Sequence, residues 1–598
     1  MVHPLLLRLL KARVWVTEML RPNELQITLF WAGLIGFLGG VASFYFRKAI
    51  QVVQWMLTYR DGSIEKVAEG LPLWQRLLIP TVGGLAAGMV LHLGVRLFRG
   101  QSSTDYMEAI SLGEGVIRTR STLVKSLSSL LTIASGGSIG REGPMVQLSA
   151  MLASLIGRRG KFSSVRRQLL VGCGAAAGIA SAYNAPIAGA LFVAEIVIGS
   201  IAMESFGPLI FSSVIATVTV RHLLDAKPVF QNPSFELVSN WELVPYVGLG
   251  LFTGFFAPWF LRLLQRSEQL FAKLTVPIYL RLAIGGLIVG LISLFVPGVW
   301  GNGYGVVNSI LQEDWIGGPW FPEALLLIFV AKLLATAATA GSGAVGGVFT
   351  PTLFAGAVLG ALFAQPVHSI WPAATATPSA YALIGMGCFL AATTHAPLMA
   401  ILMMFEMTLD YAIVLPLMLA CVTAYYTSQS LDPRSIYSDV LRRKKAAEPE
   451  SPLAALKVAD LLKPDPISVY EKSHFDEIAQ TFATNRYNYL YVVGPEKKFV
   501  GAISLHDIKT FLNDPDLAKL VIATDFLKSE FPTVTPESGL GEALEKFSQH
   551  DGERLPVIDR DHRLVGSIAK TDLLLTVAHG ARKSEREKKA GTGMIQSE

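Results

Sequence analysis

The sequence predicts an α-helical polytopic membrane protein with an inverted internal repeat, followed by a soluble α/β region. Hydrophobic residues make up 51% of the 598 residues and charged residues only 16%, with a mean hydropathy of +0.45. These values are unusual for a soluble protein of this size. From Leu333 to Phe405 there is no Asp, Glu, Lys or Arg. Because about 20 apolar residues suffice for one span, this stretch must cross or re-enter the lipid bilayer repeatedly.

The remaining composition narrows the function classes. Residues 1–24 mix leucines with basic residues, which predicts an amphipathic cytoplasmic segment and not a cleaved leader. Cys173, Cys388 and Cys421 stand singly in apolar segments, so we expect them to pack and to form neither a disulfide framework nor a metal site. The net charge of +5 comes from basic residues at segment ends. This pattern fits cytoplasmic membrane flanks and does not indicate nucleic-acid binding.

The membrane part, residues 25–442, contains two similar halves. Residues 174–196 align without gaps on residues 385–407, which pairs Glu195 with Glu406. Upstream of each copy lies a Gly-rich stretch that ends in a proline: the first breaker, "SGGSIGREGP" (135–144), and the second breaker, "GSGAVGGVFTP" (341–351). Duplicated segments broken by Gly and Pro predict a substrate site at the interface of the two halves, near the middle of the bilayer.

Each breaker has the sequence pattern of a helix start, with glycines followed by a proline in the first turn. The free N–H groups and the positive dipole end of a helix start bind anions without a full positive charge. Partial charges also permit release, which conduction requires. A cation path would need carboxylates or carbonyl rings, and residues 333–405 supply no carboxylate. The two breakers therefore predict an anion path.

Glu142 is the exceptional residue of the first breaker, where it is framed by Gly140, Arg141 and Gly143. A carboxylate at such a helix start is itself an anion. It could occupy the anion site, be displaced by a permeant anion, or be neutralised by a proton, and would then work as a gate. The alternative is that Glu142 caps the helix or pairs with Arg141. An ionisable residue inside a membrane segment is a functional candidate by default.

Taken in order, several motifs resemble the signatures of the CLC family of chloride channels and proton/chloride antiporters. They are "GREGP" (140–144), the "NAP" and "HAP" segments with their glutamates, "GGVFTP" (346–351) and "SIYSDVL" (435–441). The resemblance implies a homodimer that moves chloride, with Glu142 as the gating glutamate. It also implies that the backbone N–H groups of Val348 and Phe349 and the hydroxyl of Tyr437 hold the central anion. The alternatives are a core role for Phe349 and an interfacial role for Tyr437.

Two departures from the family pattern bear on function. The family serine that binds the central anion has no exact counterpart in "QSSTDYMEAI" (101–110), where Ser103 is the first equivalent and Thr104 the second. Asp105 beside them would be a poor neighbour for an anion unless it points away. The inner glutamate that antiporters of the family use for protons falls on Ile196. Glu195 is one residue away, but a step of about 100° turns it to another helix face.

After residue 442 the composition changes. Residues 443–455 form a charged linker, residues 456–517 and 525–580 each alternate short β-branched runs with amphipathic helices, and residues 581–598 form a charged tail. The two units resemble a tandem pair of CBS domains. In that family such pairs often hold ATP, ADP or AMP, which implies ribose contacts from Asp572 and Asp507, a phosphate contact from Ser504 and an adenine contact from Tyr487. The alternative is a dimerising module without a ligand.

The leading hypothesis is a passive chloride channel in a bacterial-type inner membrane, gated by Glu142, with cytoplasmic CBS domains as regulator. We expect no catalytic residues, no metal and no required cofactor. A proton-coupled chloride antiporter of the same architecture is the nearest alternative, and Ile196 argues against it. A non-conducting, nucleotide-sensing membrane scaffold is the second alternative. Glu142, Phe349 and Tyr437 argue together against that scaffold.

Overall fold

The protein forms two compact units, Met1–Arg442 and Arg443–Glu598, and each is described here by itself. The computed structural model describes residues 24–97, 105–111, 113–224, 230, 235, 237–312, 321–437, 456–485, 487–509, 511, 520–548, 550 and 552–576. Five features of the sequence analysis lie outside the described residues. They are residues 1–23, Ser103, Thr104, the linker 443–455 and the tail 581–598.

The first half of the membrane unit consists of helices with short connections. They are α1 (Glu24–Thr58), α2 (Ile64–Gly70), α3 (Leu73–Leu97), α4 (Tyr106–Ser111), α5 (Thr119–Ala134), α6 (Glu142–Arg159), α7 (Ser164–Tyr183), α8 (Pro186–Leu191) and α9 (Met203–Leu224). A π-helical turn, Phe192–Ile198, continues α8.

The second half is built in the same way. Its helices are α10 (Leu243–Ala272), α11 (Ile278–Phe295), α12 (Tyr304–Leu311), α13 (Phe321–Gly341), α14 (Phe349–Ile370), α15 (Pro378–Thr394), α16 (Pro397–Thr408) and α17 (Val414–Leu431). Short 3₁₀ turns, Asn240–Glu242 and Pro297–Val299, precede α10 and follow α11.

Among the described residues, seven helices are long and apolar enough to cross a membrane: α1, α3, α9, α10, α11, α13 and α14. Several of the others are shorter apolar helices, such as α15 and α16. Half-length helices that start inside the bilayer need internal partners for their terminal backbone groups. The chain is thus a multi-pass membrane protein with broken helices, as the sequence predicted.

The predicted repeat is visible in matching backbone conformations. Helix α7 ends at Asn184 with φ 60°, and α15 ends at the aligned His395 with φ 58°. Asn and His are among the non-glycine residues that adopt this left-handed conformation most readily. The packing also repeats, because α6 lies along α7 as α14 lies along α15, and α1 lies along α9 as α10 lies along α17. The two halves therefore share one architecture.

Two glutamates show that the repeat is inverted. Glu195, which follows α8, accepts hydrogen bonds from the N–H groups of Leu398 (3.2 Å) and Met399 (2.8 Å) in the first turn of α16. Glu406, late in α16, accepts from Ile187 (2.9 Å) and Ala188 (2.8 Å) in the first turn of α8. Each carboxylate thus caps the helix of the other half, which requires the two helices to run antiparallel. A carboxylate is stabilising at a helix N-terminus.

The C-terminal unit contains two α/β halves, as the sequence predicted. The first holds β1 (Ser468–Tyr470), α18 (Phe475–Thr484), β2 (Tyr489–Val493), β3 (Phe499–Ser504) and α19 (Leu505–Ile508). The second holds α20 (Leu540–Ser548), β4 (Arg554–Ile558) and β5 (Leu564–Ala569). Strand β2 pairs parallel with β1 and antiparallel with β3. In the second half β4 and β5 are antiparallel, and Val534 forms a single parallel bridge to Val557.

Candidate anion pathway and nucleotide cleft

The two breakers pair directly with each other. The N–H of Gly140 donates to the carbonyl of Gly347 (2.7 Å), and the N–H of Gly347 donates to the carbonyl of Gly140 (2.9 Å). This two-residue antiparallel bridge is reciprocal, as an inverted repeat requires. It lies immediately before the starts of α6 and α14, at Glu142 and Phe349. Two positive helix ends therefore converge on one place.

Glycine permits a close backbone approach where the breakers meet. A Cβ on Gly143 would lie 3.3 Å from the backbone carbon of Gly346, and a Cβ on Gly347 would lie 3.2 Å from the nitrogen of Gly143. Side chains at these positions would push the two backbones apart. The glycines therefore serve the close approach of the two helix starts, which the sequence alone did not show.

Glu142 is the first residue of α6, and only 2% of its surface is exposed. Its Oε1 accepts a hydrogen bond from the hydroxyl of Thr350 in the first turn of α14. A Cβ built on Gly347 would be 3.0 Å from Oε2 of Glu142, so the carboxylate lies against the bridge between the breakers. Oε2 has no protein donor among the described residues. The carboxylate is therefore held across the junction of the two halves and is not paired with Arg141.

The side chain of Arg141 contacts the ring of Tyr304 and not the Glu142 carboxylate. Its guanidinium carbon lies 5.7 Å from the ring centroid of Tyr304, at the start of α12. A cation over an aromatic face is attracted by the ring quadrupole. Glu142 and Arg141 are thus held by separate partners, and the alternative of a simple Arg141–Glu142 pair is not what the structure shows.

Four aromatic residues form two ring pairs in this part of the membrane unit, one of them at the start of α14. Phe349, the first residue of α14, is 2% exposed, and its ring centroid is 4.9 Å from that of Tyr183. Tyr437 packs edge-on against Phe192 at 5.5 Å and lies in electrostatic range of Glu142. Val348 is the N-cap of α14. The N–H groups at this helix start have no partner within the helix, so they remain available to an anion.

The inner end of the predicted path is described in part. Ser103 and Thr104 are not described, but Asp105 is, immediately before α4. Asp105 is close enough to Tyr437 for its charge to act on the phenol. Tyr106 next to it donates its N–H to Oε1 of Gln147, in α6. A carboxylate near Tyr437 is therefore part of the surroundings of the predicted anion site.

The structure corrects one premise about Glu195 and Ile196. Their segment, Phe192–Ile198, is a π-helix, so the regular α-helical step used in the sequence analysis does not apply. π-helical turns are rare and occur frequently at functional sites. Glu195 nevertheless faces α16, which it caps, while Ile196 packs against the membrane core. The two residues still serve different directions, for a reason that only the inter-half contact reveals.

Two cations inside the membrane unit escaped the sequence analysis. Arg47 of α1 donates to the carbonyls of Ser181 (2.6 Å) and Ala182 (2.7 Å) at the end of α7. Lys332 of α13, which is 1% exposed, donates to three carbonyls, those of Val299, Trp300 and Gly301. Both cations donate hydrogen bonds to backbone carbonyls at the end of a helix or turn. Their role in the structure is to satisfy these acceptors.

In the C-terminal unit a cleft surrounds Tyr487. It is lined by Pro464, Asp465, Pro466, Ile467, Tyr487, Asn488, Tyr489, Tyr491, Glu553, Arg554 and Ser567. The guanidinium of Arg554 lies 4.9 Å from the ring centroid of Tyr487 and donates to Oγ of Ser567 (3.3 Å). The cleft combines an aromatic face with a cation from the other half. The sequence analysis found Tyr487 but missed Arg554.

The other predicted nucleotide contacts are distributed over two places. Asp572 forms an ion pair with Lys463 (2.5 Å), which precedes the first residues of the Tyr487 cleft. Asp507 forms the equivalent pair with Lys528 (2.8 Å). The hydroxyl of Ser504 accepts from the N–H of His506 (3.1 Å) and caps α19. Asp572 is thus connected through Lys463 to the Tyr487 cleft. Ser504 and Asp507 lie at the corresponding position of the first α/β half, where Asp507 pairs with Lys528.

Broken membrane helices whose starts converge on a carboxylate, followed by a duplicated α/β pair, define the class as a membrane anion transporter with a CBS tail. The profile of the voltage gated chloride channel family matches residues 82–429, and that of the CBS domain matches residues 458–514 and 523–579. The chain therefore belongs to the voltage gated chloride channel, or CLC, family.

Curated relatives agree. A ClcB-like chloride channel protein of Ralstonia nicotianae is 52% identical over 418 residues, which covers 69% of this chain and 96% of that protein. The voltage-gated ClC-type chloride channel ClcB of Salmonella typhimurium is 42% identical over 430 residues, covering 70% of this chain and 99% of ClcB.

Solved structures show the same fold. A slow cyanobacterial Cl⁻/H⁺ antiporter is 26% identical with a TM-score of 0.62, covering 70% of this chain and 98% of the antiporter. A eukaryotic CLC transporter, 17% identical with a TM-score of 0.58, covers 92% of this chain and 99% of its own. The predicted family and fold class are confirmed.

Proposed function

We propose that this chain is a chloride channel that conducts passively and that Glu142 is its gate. The observation that carries the proposal is the position of the Glu142 carboxylate, between two helix starts that favour an anion. When it is ionised, the carboxylate occupies the place that a permeant anion would take. Neutralised or displaced, it frees that place. The Ralstonia and Salmonella relatives are both named as chloride channels, which supports the substrate.

The conduction path needs no full positive charge at its narrowest point. The starts of α6 and α14 supply backbone N–H groups at Gly143, Val348 and Phe349, and the hydroxyl of Tyr437 is a further predicted ligand. Partial charges hold an anion firmly enough for selection and loosely enough for release. Arg47 and Lys332 are bound to carbonyls and therefore do not trap it. Ser103 and Thr104 remain predicted ligands.

Passive conduction is supported by the inner residues. Ile196 cannot carry a proton, and Glu195 is engaged by two N–H groups of α16. A carboxylate that accepts two N–H bonds at a helix start is held in position by them. Moving Glu195 to a proton path would expose the two N–H groups that it satisfies.

The alternative is a proton-coupled chloride antiporter, and the likeness to the cyanobacterial antiporter favours it. Such a mechanism requires a proton carrier on the inner side other than Ile196. Asp105, whose charge acts on Tyr437, is the described carboxylate that we assign to that task. The antiporter alternative therefore predicts that Asp105→Asn abolishes the coupling between proton and chloride movement.

Chloride efflux from liposomes that hold the purified protein tests the proposal. External pH is recorded while a potassium ionophore sets the voltage. The channel proposal expects chloride to leave without protons moving against their gradient. Protons driven uphill by chloride would establish the antiporter, and the absence of any chloride flux would favour the non-conducting scaffold.

The proposal has three further parts that rest on the family resemblance. The protein would act as a homodimer in the bacterial inner membrane, with the CBS pair on the cytoplasmic side. An adenine nucleotide, ATP, ADP or AMP, would bind the Tyr487 cleft and regulate conduction. The stacked Arg554 and Tyr487 support a planar, phosphate-bearing ligand, because guanidinium binds phosphate and an aromatic ring stacks on a base.

A further inference from the structure

Three hydroxyl groups from three helices meet beside the Glu142 carboxylate. Thr350 belongs to the first turn of α14, Tyr183 is the last residue of α7, and Tyr304 is the first residue of α12. The hydroxyl of Tyr183 lies 3.1 Å from Oγ1 of Thr350, and that of Tyr304 lies 3.4 Å from the same atom. Thr350 in turn contacts Oε1 of Glu142. We call these three residues the hydroxyl cluster.

Hydrogen-bond counting fixes the direction of the cluster. A hydroxyl has one proton to donate and two lone pairs to accept. An ionised carboxylate only accepts hydrogen bonds, so the hydroxyl of Thr350 must donate its proton to Glu142. Both tyrosines must then donate to Thr350 if they bond to it. All three protons therefore point toward the carboxylate, and such chains strengthen one another in a low-dielectric interior.

Burial makes these contacts strong and their loss costly. Glu142 and Thr350 are each 2% exposed, and Tyr183 is fully buried. A hydrogen bond to a charged group contributes more than a neutral one, and it is not replaced by water in a buried place.

Other charged groups also face Glu142, but they are engaged elsewhere. Arg141 lies over the ring of Tyr304, and Arg47 binds the last carbonyls of α7. Among the described residues, the titratable groups whose charges act on Glu142 or respond to it include Arg141, Arg47, Tyr183, Tyr304 and Tyr437. The hydroxyl of Thr350 donates to the carboxylate, and the hydroxyl of Tyr183 also lies within reach of it.

We infer that Thr350, supported by Tyr183 and Tyr304, is a positioning residue that holds ionised Glu142 in the closed gate and sets the pH at which the gate opens. This inference rests on the proposed gating role of Glu142. The hydroxyl of Thr350 favours the ionised, closed carboxylate over the protonated one. Removing that hydroxyl lets a proton neutralise Glu142 at a higher pH.

The test is the pH profile of chloride efflux from liposomes for Thr350→Val, which removes the hydroxyl and keeps the branched shape. We expect efflux at neutral pH to rise about tenfold, because a charge-assisted hydrogen bond is lost. The midpoint of the profile should move up by about one pH unit, the equivalent of that factor. Thr350→Ser, which keeps the hydroxyl, should retain the wild-type profile.

Two controls separate this inference from a general packing effect. Thr352→Val removes a hydroxyl in the same turn that bonds only to the carbonyl of Phe349 (2.5 Å), and it should leave the midpoint unchanged. In a Glu142→Gln background, where efflux is already independent of pH, Thr350→Val should leave efflux unchanged. Tyr183→Phe and Tyr304→Phe should each move the midpoint upward by less than Thr350→Val, and they test the cluster even if Thr350→Val fails to fold.

The outcomes are distinct. A wild-type midpoint in Thr350→Val and in both tyrosine variants, together with a flat profile in Glu142→Gln, overturns the hydroxyl cluster and leaves the gate intact. A Glu142→Gln profile identical to wild type overturns the proposed function itself. A change in efflux when Thr350→Val is added to Glu142→Gln also overturns the inference, because Thr350 would then act on the path directly.

Discussion

The two breakers occupy equivalent places in the fold but carry different side chains. In the first, Arg141 and Glu142 follow the bridging Gly140; in the second, Val348 and Phe349 follow the bridging Gly347. The backbone is nearly symmetric, with each glycine donating to the other. The charge is not symmetric, because only the first half supplies a carboxylate. The repeat thus builds an anion site, and the difference between the copies supplies its gate.

The capping glutamates show the opposite case. Glu195 and Glu406 make the same pair of contacts in mirror order, each at the start of the other half's helix. A role that is repeated exactly in both halves serves the shared scaffold. The comparison teaches that symmetric side chains hold this fold together, while asymmetric side chains at symmetric positions carry its function.

The largest effect is expected from removing the charge of Glu142, which distinguishes the first breaker from the second. Glu142→Gln replaces the carboxylate with a neutral isostere that resembles the protonated gate, so chloride efflux should become open and independent of pH. Efflux from liposomes between about pH 3.5 and about pH 8, a range that includes the usual glutamate pKa of about 4.3, measures this. Glu195→Gln is the matched control, a glutamate-to-glutamine change that should leave the pH profile unchanged. An unaltered profile in Glu142→Gln would remove the gating assignment.

The second largest effect is expected from the two glutamates that cap helix starts, Glu195 and Glu406. Glu406→Gln should lower the free energy of unfolding by about 2 kcal/mol, because two N–H groups of α8 lose a charged acceptor. Glu195→Gln should cost a similar amount by the same contact in reverse. Thermal unfolding in detergent measures both, with the exposed Glu204→Gln as control. A loss confined to one of the two variants would contradict their equivalence.

A third prediction carries the comparison to the CBS pair, where Asp572 and Asp507 form equivalent ion pairs. The Tyr487 cleft lies near Asp572, so Asp572→Ala should weaken ATP or AMP binding about tenfold through loss of one charged hydrogen bond. Asp507→Ala should change binding in this cleft little. Calorimetric titration of the full-length protein measures both affinities. Equal weakening by the two variants would place the nucleotide elsewhere, and no binding to the wild type would leave the pair without a ligand.

The smallest expected effect concerns Asp432, after α17. The bidentate contact with Arg434, together with Arg262, lowers the pKa of Asp432 to about 2. A carboxyl whose pKa is depressed by folding contributes stability above its unfolded pKa, about 4, and loses it as pH falls through the folded value. Asp432→Asn should therefore lower the unfolding temperature equally at pH 8 and pH 5, roughly the range above that unfolded pKa. A difference that fades between these values would implicate Asp432 in the pH response.

Much of the membrane site followed from local sequence. Glycines and a proline before an apolar run predicted the helix starts at Glu142 and Phe349, and both start as expected. The composition change after residue 442 likewise predicted the second unit. Local signals sufficed here because helix starts and domain changes are encoded by neighbouring residues.

Contacts between the halves did not follow from local sequence. The Gly140–Gly347 bridge and the Thr350–Glu142 contact join residues more than 200 positions apart, and no periodicity reports such pairing. One signal was present, since aligning the breakers places Thr350 opposite Gly143, directly after Glu142. Using it required knowing that the helix starts meet. The π-helical turn at Phe192–Ile198 also escaped, because its apolar pattern is that of an ordinary helix.

The measurement that tests the account most directly is anomalous scattering from bromide in wild-type and Glu142→Gln crystals. Glu142→Gln should gain a bromide peak between the starts of α6 and α14, at the place that the Glu142 carboxylate occupies in the wild type. Identical peaks in both proteins would contradict this prediction, because the carboxylate would then not stand in an anion's position.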